Sequence, residues 1–162
     1  MRPVYLATIG LLLCATVTNA QAEPWRVETY KINPGTFHSA TQFDAKGDYA
    51  MVIECHEETG MFEFFVESPY DWDLEASYAP EVPAVLNVGG VDVTDVKFYF
   101  DEKQLGEGIR ADTADAAFGR LIDRMIGVGE YGEIGLTYFD RSASFPTEGL
   151  LDAVLSLSNN CL

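Results

Sequence analysis

The chain is 162 residues long, carries 10 basic against 26 acidic side chains for a formal net charge of −16, and is 48% apolar. That balance belongs to a folded globular domain rather than a disordered acidic tail. It also sets nucleic-acid binding against a repelling field, since phosphate affinity comes mainly from Lys and Arg, and the length suits one domain rather than two.

Residues 1–22 read as a cleaved secretory signal. Arg2 supplies the positive start, Leu6 to Ala15 the short apolar run, and Ala20-Gln21-Ala22 a small-x-small cleavage site before Glu23, with a second cut after Ala20 fitting the same pattern. The rival reading, a permanent anchor, has too short an apolar run, ending in Thr16, Thr18, Asn19 and Gln21. Cys14 sits inside the apolar run without a lipobox-like arrangement of small residues around it. Residues 23–162 are then one exported, periplasmic or secreted domain with no membrane span. Losing Arg2 and no acid leaves 9 basic against 26 acidic residues, or −17. It also leaves two cysteines, Cys55 and Cys161, and in an oxidising compartment a pair is most simply a disulfide.

Aromatic and β-branched residues over 25–32 predict a strand ended by Asn33-Pro34-Gly35. Another is expected over 37–43, with Phe37 and Phe43 on one face and His38, for which no partner is legible, on the other. The clearest β signal spans 49–56, where Met51, Ile53 and Cys55 alternate with Val52, Glu54 and His56. Glu57-Glu58-Thr59-Gly60 connects it to 61–67. With those four residues as the hairpin loop, Cys55 faces Phe62, Ile53 faces Phe64 and Met51 faces Val66, so the apolar faces coincide.

Pro69, Pro80 and Pro83 make 68–83 irregular. Strands over 84–88 and 91–100 flank Gly89-Gly90, and the parity shift between Val93 and Val96 predicts a bulge near Thr94-Asp95. Residues 101–104 are expected to turn the chain. A helix capped by Asp112 or Thr113 follows, with Phe118, Leu121, Ile122 and Met125 on one stripe. Residues 133–139 read as a strand. Thr147 is expected to cap a last helix that turns Leu150, Leu151, Val154, Leu155 and Ser158 inward, with Phe145 as its hydrophobic staple. The predicted fold class is α+β: an antiparallel, hairpin-built sheet or β-sandwich with two helices in the C-terminal half and one disulfide.

Chemistry is concentrated in a stretch without cations. From Gly47 to Val96 there are twelve acids and no Lys or Arg. In the hairpin register Glu54 lies opposite Glu63, a destabilising pair unless something cationic joins them. The bland reading is a solvated acidic surface that aids solubility. The sharper one is a partner-binding face made of Glu54, Glu63, Glu67, Tyr70, Asp71, Trp72, Asp73 and Glu75, in which acids and aromatics suit a basic envelope protein.

Asp71, Asp73 and Glu75 alternate like the start of a calcium loop. Ala76 and Val82 stand where an EF-hand needs Gly and Glu, which leaves only a looser calcium site. His56, sharing a face with Glu54 and lying opposite Met61, is a candidate ligand for copper or zinc, against the plainer reading of a surface histidine. No cofactor is otherwise expected. No nucleophile elbow, zincin helix, P-loop or dinucleotide fingerprint occurs. A cell-envelope hydrolase built on a carboxylate pair stays as an alternative without a nameable pair.

Residues 101–104, the helix around Ala116 to Met125, the strand at 132–139, and then Phe145, Gly149-Leu150, Ala153, Leu157 and Cys161 carry a resemblance. This ending is similar to that of small proteobacterial periplasmic proteins, such as the type VI secretion-associated periplasmic proteins and, more distantly, the invasion-associated locus B family. It covers the C-terminal half only and departs in Pro146-Thr147-Glu148 and in having a single cysteine pair. The resemblance implies an exported β-rich accessory or binding protein and transfers no catalytic residue.

Overall fold

The computed structural model describes residues 23–68, 81–103, 106–113 and 116–162. The expected leader, and Tyr70, Asp71, Trp72, Asp73 and Glu75, lie outside the described residues. No helix among the described residues is long and apolar enough to cross a membrane.

The elements in chain order are β1 (Arg26–Ile32), β2 (Gly35–Phe43), β3 (Ala50–His56), β4 (Met61–Ser68), β5 (Ala84–Val88), β6 (Val91–Val93), β7 (Phe98–Lys103), β8 (Gly106–Ala111), α1 (Ala116–Gly127), β9 (Glu133–Tyr138), β10 (Arg141–Pro146) and α2 (Leu150–Cys161). The strands form a six-stranded sheet, β1-β2-β3-β4-β8-β7, and a four-stranded sheet, β10-β9-β5-β6. Every pairing is antiparallel. The α+β class with its sheet-rich architecture is therefore as expected.

The β3–β4 hairpin has the register that the alternation implies: Cys55↔Phe62, Ile53↔Phe64 and Met51↔Val66. These side chains line the inner face of the larger sheet. There they join Leu86, Val88, Ile134, Leu136 and Phe145 of the smaller sheet and the apolar faces of both helices in one core. Phe64 touches the rings of Phe98 and Phe118, at 6.3 and 6.1 Å between centroids, which ties β4 to β7 and α1. At the start of the described chain Trp25 is buried. Its backbone N–H donates to Glu148 O and its indole N–H to Pro146 O, both at 3.1 Å.

Several local expectations are corrected. The parity shift near Thr94-Asp95 is a change of sheet rather than a bulge: β6 belongs to the smaller sheet and β7 to the larger. Residues 101–103 continue β7 instead of turning. The strands β8 and β10 were not anticipated. Phe145 is a fully buried β10 residue opposite Ile134, not a staple.

Thr147 does not cap α2, whose N-cap is Gly149 in the left-handed conformation (φ 76°) with no side-chain cap bond. The Thr147 hydroxyl instead donates to Gly129 O and accepts the Gly132 N–H at 2.9 Å, holding the approach to β9. The Thr113 hydroxyl donates to Phe62 O at 2.7 Å, tying the chain ahead of α1 to β4. In α2 the inward residues are Leu150, Ala153, Leu157 and Cys161, whereas Leu151 and Leu155 are 48% and 52% exposed. Val154 packs at the core's edge. The physical reason is the bridge: Cys55 and Cys161 are bonded with Cα atoms 6.3 Å apart, so the helix must present the Cys161 side to the sheet. Ala153, on that side, is small enough for close approach.

The bond closes a loop between residues 106 apart in sequence. Chain-entropy reasoning gives about 4–5 kcal/mol for such a loop. Cys55→Ser/Cys161→Ser should lower the unfolding free energy by about 2–5 kcal/mol in a urea titration, and an unchanged midpoint would contradict this. Leu157→Ala should cost about 2–5 kcal/mol and Leu155→Ala under about 0.5 kcal/mol. The reverse order would place the other face of α2 against the sheet.

Candidate functional site

Pairing across four strands aligns the outer-face residues of the larger sheet in rows. One row runs Tyr30, Phe37, His56, Met61, and the next runs Glu28, Ser39, Glu54, Glu63. A third runs Arg26, Thr41, Val52, Phe65, Arg110, Tyr99. The strand period of two forces this: once Met51, Ile53 and Cys55 enter the core, Val52, Glu54 and His56 must face out. Sequence alternation therefore places an aromatic and thioether row beside a carboxylate row.

The expected opposition of Glu54 and Glu63 is present. Its relief comes from two residues the sequence reading did not single out. The Tyr30 hydroxyl donates to Glu54 Oε2, and an Arg110 guanidinium nitrogen lies 3.7 Å from Glu63 Oε1. Glu54 is consequently only 9% exposed, unlike a solvated surface acid. Tyr30 was legible in principle. Counting back from the Asn33-Pro34 turn pairs Ile32 with Gly35, Tyr30 with Phe37 and Thr29 with His38. Arg110 was not, because β8 was not recognised.

The same count would have found one of the two partners of His38, Thr29. Its Nδ1 is 2.9 Å from the Thr29 hydroxyl and its Nε2 is 3.3 Å from Glu57 Oε2. His38 lies on the inner face beside Cys55 and is buried. It is a satisfied structural histidine.

At the hairpin end, the rings of Tyr30 and Phe37 stack at 5.5 Å with planes 10° apart, and Phe37 meets the His56 ring at 4.8 Å, tilted 50°. Gly35 makes this possible, because a Cβ there would collide with the His56 ring. His56 directs Nδ1 to the Thr59 hydroxyl at 2.8 Å and Nε2 to Glu58 Oε2 at 3.2 Å. Glu58 in turn accepts the Thr36 N–H on both oxygens at 3.1 Å. That backbone bond above all holds the Glu58 carboxyl below its ordinary range. Both His56 nitrogens thus lie by loop residues, Thr59 and Glu58, and the ring packs over Gly35 beside Phe37.

Phe37, Glu54, Cys55, His56, Thr59, Met61 and Glu63 line a cleft of about 300 Å³ with largely apolar walls. Met61 is 63% exposed at its rim. Of the expected partner-binding residues, Glu54, Glu63 and Glu67 share this outer face, while Tyr70, Asp71, Trp72, Asp73 and Glu75 lie outside the described residues. Of the metal candidates only His56 is described. Among the described residues no group of three or more His, Cys, Asp and Glu side chains is arranged to hold a metal ion. Comparison with protein-family models, with curated proteins and with solved structures gives no match.

The Tyr30 phenol is pushed above its ordinary value of 10.0, first by burial, then by its hydrogen bond to Glu54 and that carboxylate's charge. A raised folded-state value means a contribution to stability that is complete below the unfolded value and is lost as pH rises through the folded one. Stability should therefore decline above about pH 10. Tyr138, also raised chiefly by burial, adds to the same decline. Denaturation of Tyr30→Phe should show a shallower alkaline loss than the parent, and identical slopes would contradict the Tyr30–Glu54 assignment.

Proposed function

We propose that the protein is a non-catalytic periplasmic accessory or binding protein that engages a basic envelope protein through the outer face of its larger sheet. The observation that carries this reading is the placement of Tyr30, Phe37, His56 and Met61 in one row beside Glu28, Glu54 and Glu63 in the next, around a cleft. Aromatic and thioether groups give contact area at low entropic cost, and carboxylates select cationic partners and speed their encounter. The net charge of −16 reinforces the selection over longer range. The periplasmic assignment rests on the leader-like residues 1–22 and on the Cys55–Cys161 bond, a covalent state favoured outside the cytosol. The likeness of the C-terminal half to small exported accessory proteins points the same way.

The test is capture of basic proteins from an envelope extract, backed by titration with a fluorescent hexa-lysine peptide. Both should weaken at least about tenfold between roughly 50 and 500 mM salt, because the Debye length shrinks from well over 10 Å to a few ångströms. Glu28→Gln/Glu63→Gln/Glu67→Gln should weaken both at low salt. Glu54 is left intact because it holds Tyr30. Binding that is indifferent to salt and to these neutralisations would overturn the proposal.

A further inference from the structure

We infer that the edge of β1 is where two copies of this chain pair, antiparallel and centred on Thr29, so that their larger sheets run on as one. This pairing is independent of what the outer face binds.

β1 ends the larger sheet, with β2 as its one strand neighbour among the described residues, and all seven of its residues are exposed. Backbone bonds decide which of them look outward. Thr36 donates its N–H to Glu58 and accepts the Glu57 N–H on its carbonyl, so both groups are turned from β1 toward the hairpin loop. Opposed residues of an antiparallel ladder either bond each other or both turn away. Lys31, opposite Thr36, therefore turns its N–H and C=O to the edge. The period of two extends this to Thr29 and Val27. Trp25, two residues further back, agrees, because its N–H leaves the sheet for Glu148 O at 3.1 Å. That contact closes the edge on one side and the Asn33-Pro34 turn closes it on the other, leaving 26–32 to receive a strand.

One register of self-pairing uses all three outward residues. With Thr29 opposite the second copy's Thr29, Val27 faces the second copy's Lys31 on both sides of the two-fold axis, Glu28 lies across from Tyr30 and Arg26 from Ile32. Paired threonines and a lysine stem along valine are favourable cross-strand neighbours. Centred on Glu28, the pairing would oppose two carboxylates and run Lys31 against the occupied Trp25. Centred on Tyr30, it would leave Val27 opposite the turn.

Charge selects this edge and this occupant. At −16 each, two copies repel except where cations gather, and in β1 Arg26 and Lys31 outnumber Glu28. The same cations turn away a strand from a basic partner. The other sheet ends suit pairing less: β6 has three residues, β7 has two acids to one base in its sequence, and β10 ends in Pro146, which has no N–H. A two-fold contact closes on itself, so the product is a dimer rather than a fibre.

The experiment is sedimentation equilibrium of the disulfide-bonded protein, followed by cysteine trapping. An edge-strand seam belongs to the small, transient class of interface, so the chain should be chiefly dimeric at about 100 μM and monomeric on dilution. More salt should raise the dimer fraction, because it screens two like-charged copies. One added cysteine per chain reads the register. Thr29→Cys sets the two cysteines opposite each other with Cα atoms about 5.5 Å apart, within disulfide reach. Ile32→Cys sets them about 20 Å apart along the strand. Thr29→Cys should therefore link copies at least about tenfold faster than Ile32→Cys. Circular dichroism checks that each variant is folded; where Thr29→Cys unfolds through loss of its bond to His38, Val27→Cys mixed with Lys31→Cys reads the same register. A parent that stays monomeric at that concentration, a dimer fraction that falls with salt, or equal linking rates overturn the pairing. Trapping of Thr29→Cys on a different envelope protein, with the parent monomeric, gives the edge to another chain and overturns it too.

Discussion

The alternation of β3 is the constraint on which the remaining structure depends. Met51, Ile53 and Cys55 are in the core, and Cys55 is bonded to the last residue of α2. A slip of one residue in this strand would turn Glu54 and His56 inward and break that bond's geometry, so hydrophobic burial and a covalent tie specify the same register. β3 also has a strand on either side, β2 and β4, and its register propagates to both. The order of the outer rows is thus settled by what the inner face must bury.

That coupling has an electrostatic cost at Glu54 and Glu63, which the register sets face to face. Two carboxylates opposed on a sheet repel, and one of them is almost wholly covered. The relief is unequal on the two sides. The Glu63–Arg110 pair is half-exposed and of the kind that contributes about 0–1 kcal/mol. The Tyr30–Glu54 bond joins a hydroxyl to a covered carboxylate, and hydrogen bonds to charged groups contribute about 1.5–3 kcal/mol. Tyr30, on an edge strand whose residues are all exposed, ties β1's outer side to the sheet centre.

Legibility in the sequence followed the strength of the alternation. The β3–β4 hairpin could be read to the residue because two strands with apolar residues at every second place shared a short loop. β8 and β10 were missed for opposite reasons. Gly106, Gly108 and Ala111 give β8 little β-propensity, while Ser142 and Ser144 dilute the pattern in which Ala143 and Phe145 are the buried positions of β10. In α2 the largest apolar residues misled: Leu151 and Leu155 outweigh Ala153 on any hydrophobicity scale, yet the bond at Cys161 chooses the face. Thr147 resembles a cap because it precedes a helix, but its hydroxyl bridges Gly129 O and the Gly132 N–H in the turn before β9. Of the candidate face, Glu54, Glu63 and Glu67 followed from alternation. Tyr30 and Arg110 depended on strand neighbours that alternation within one strand cannot reveal.

The arrangement of the two sides of β3 bears on how the cleft is held. Cys55 contributes to the cleft's lining, and its sulfur is bonded inward to α2. Gly60 at the head of the same hairpin adopts φ +66°, and a Cβ there would come within 3.1 Å of Cys161 O, so the loop lies directly on the end of the helix. His56 and Thr59, which shape the cleft's mouth, are therefore held from beneath by α2 and from the side by Glu58 gripping the Thr36 N–H. A surface whose side chains are fixed before a partner arrives loses less conformational entropy on binding than one built on a free loop. The disulfide removes freedom from the unfolded chain, and in the folded one it ties β3 to the end of α2 on which the hairpin loop lies.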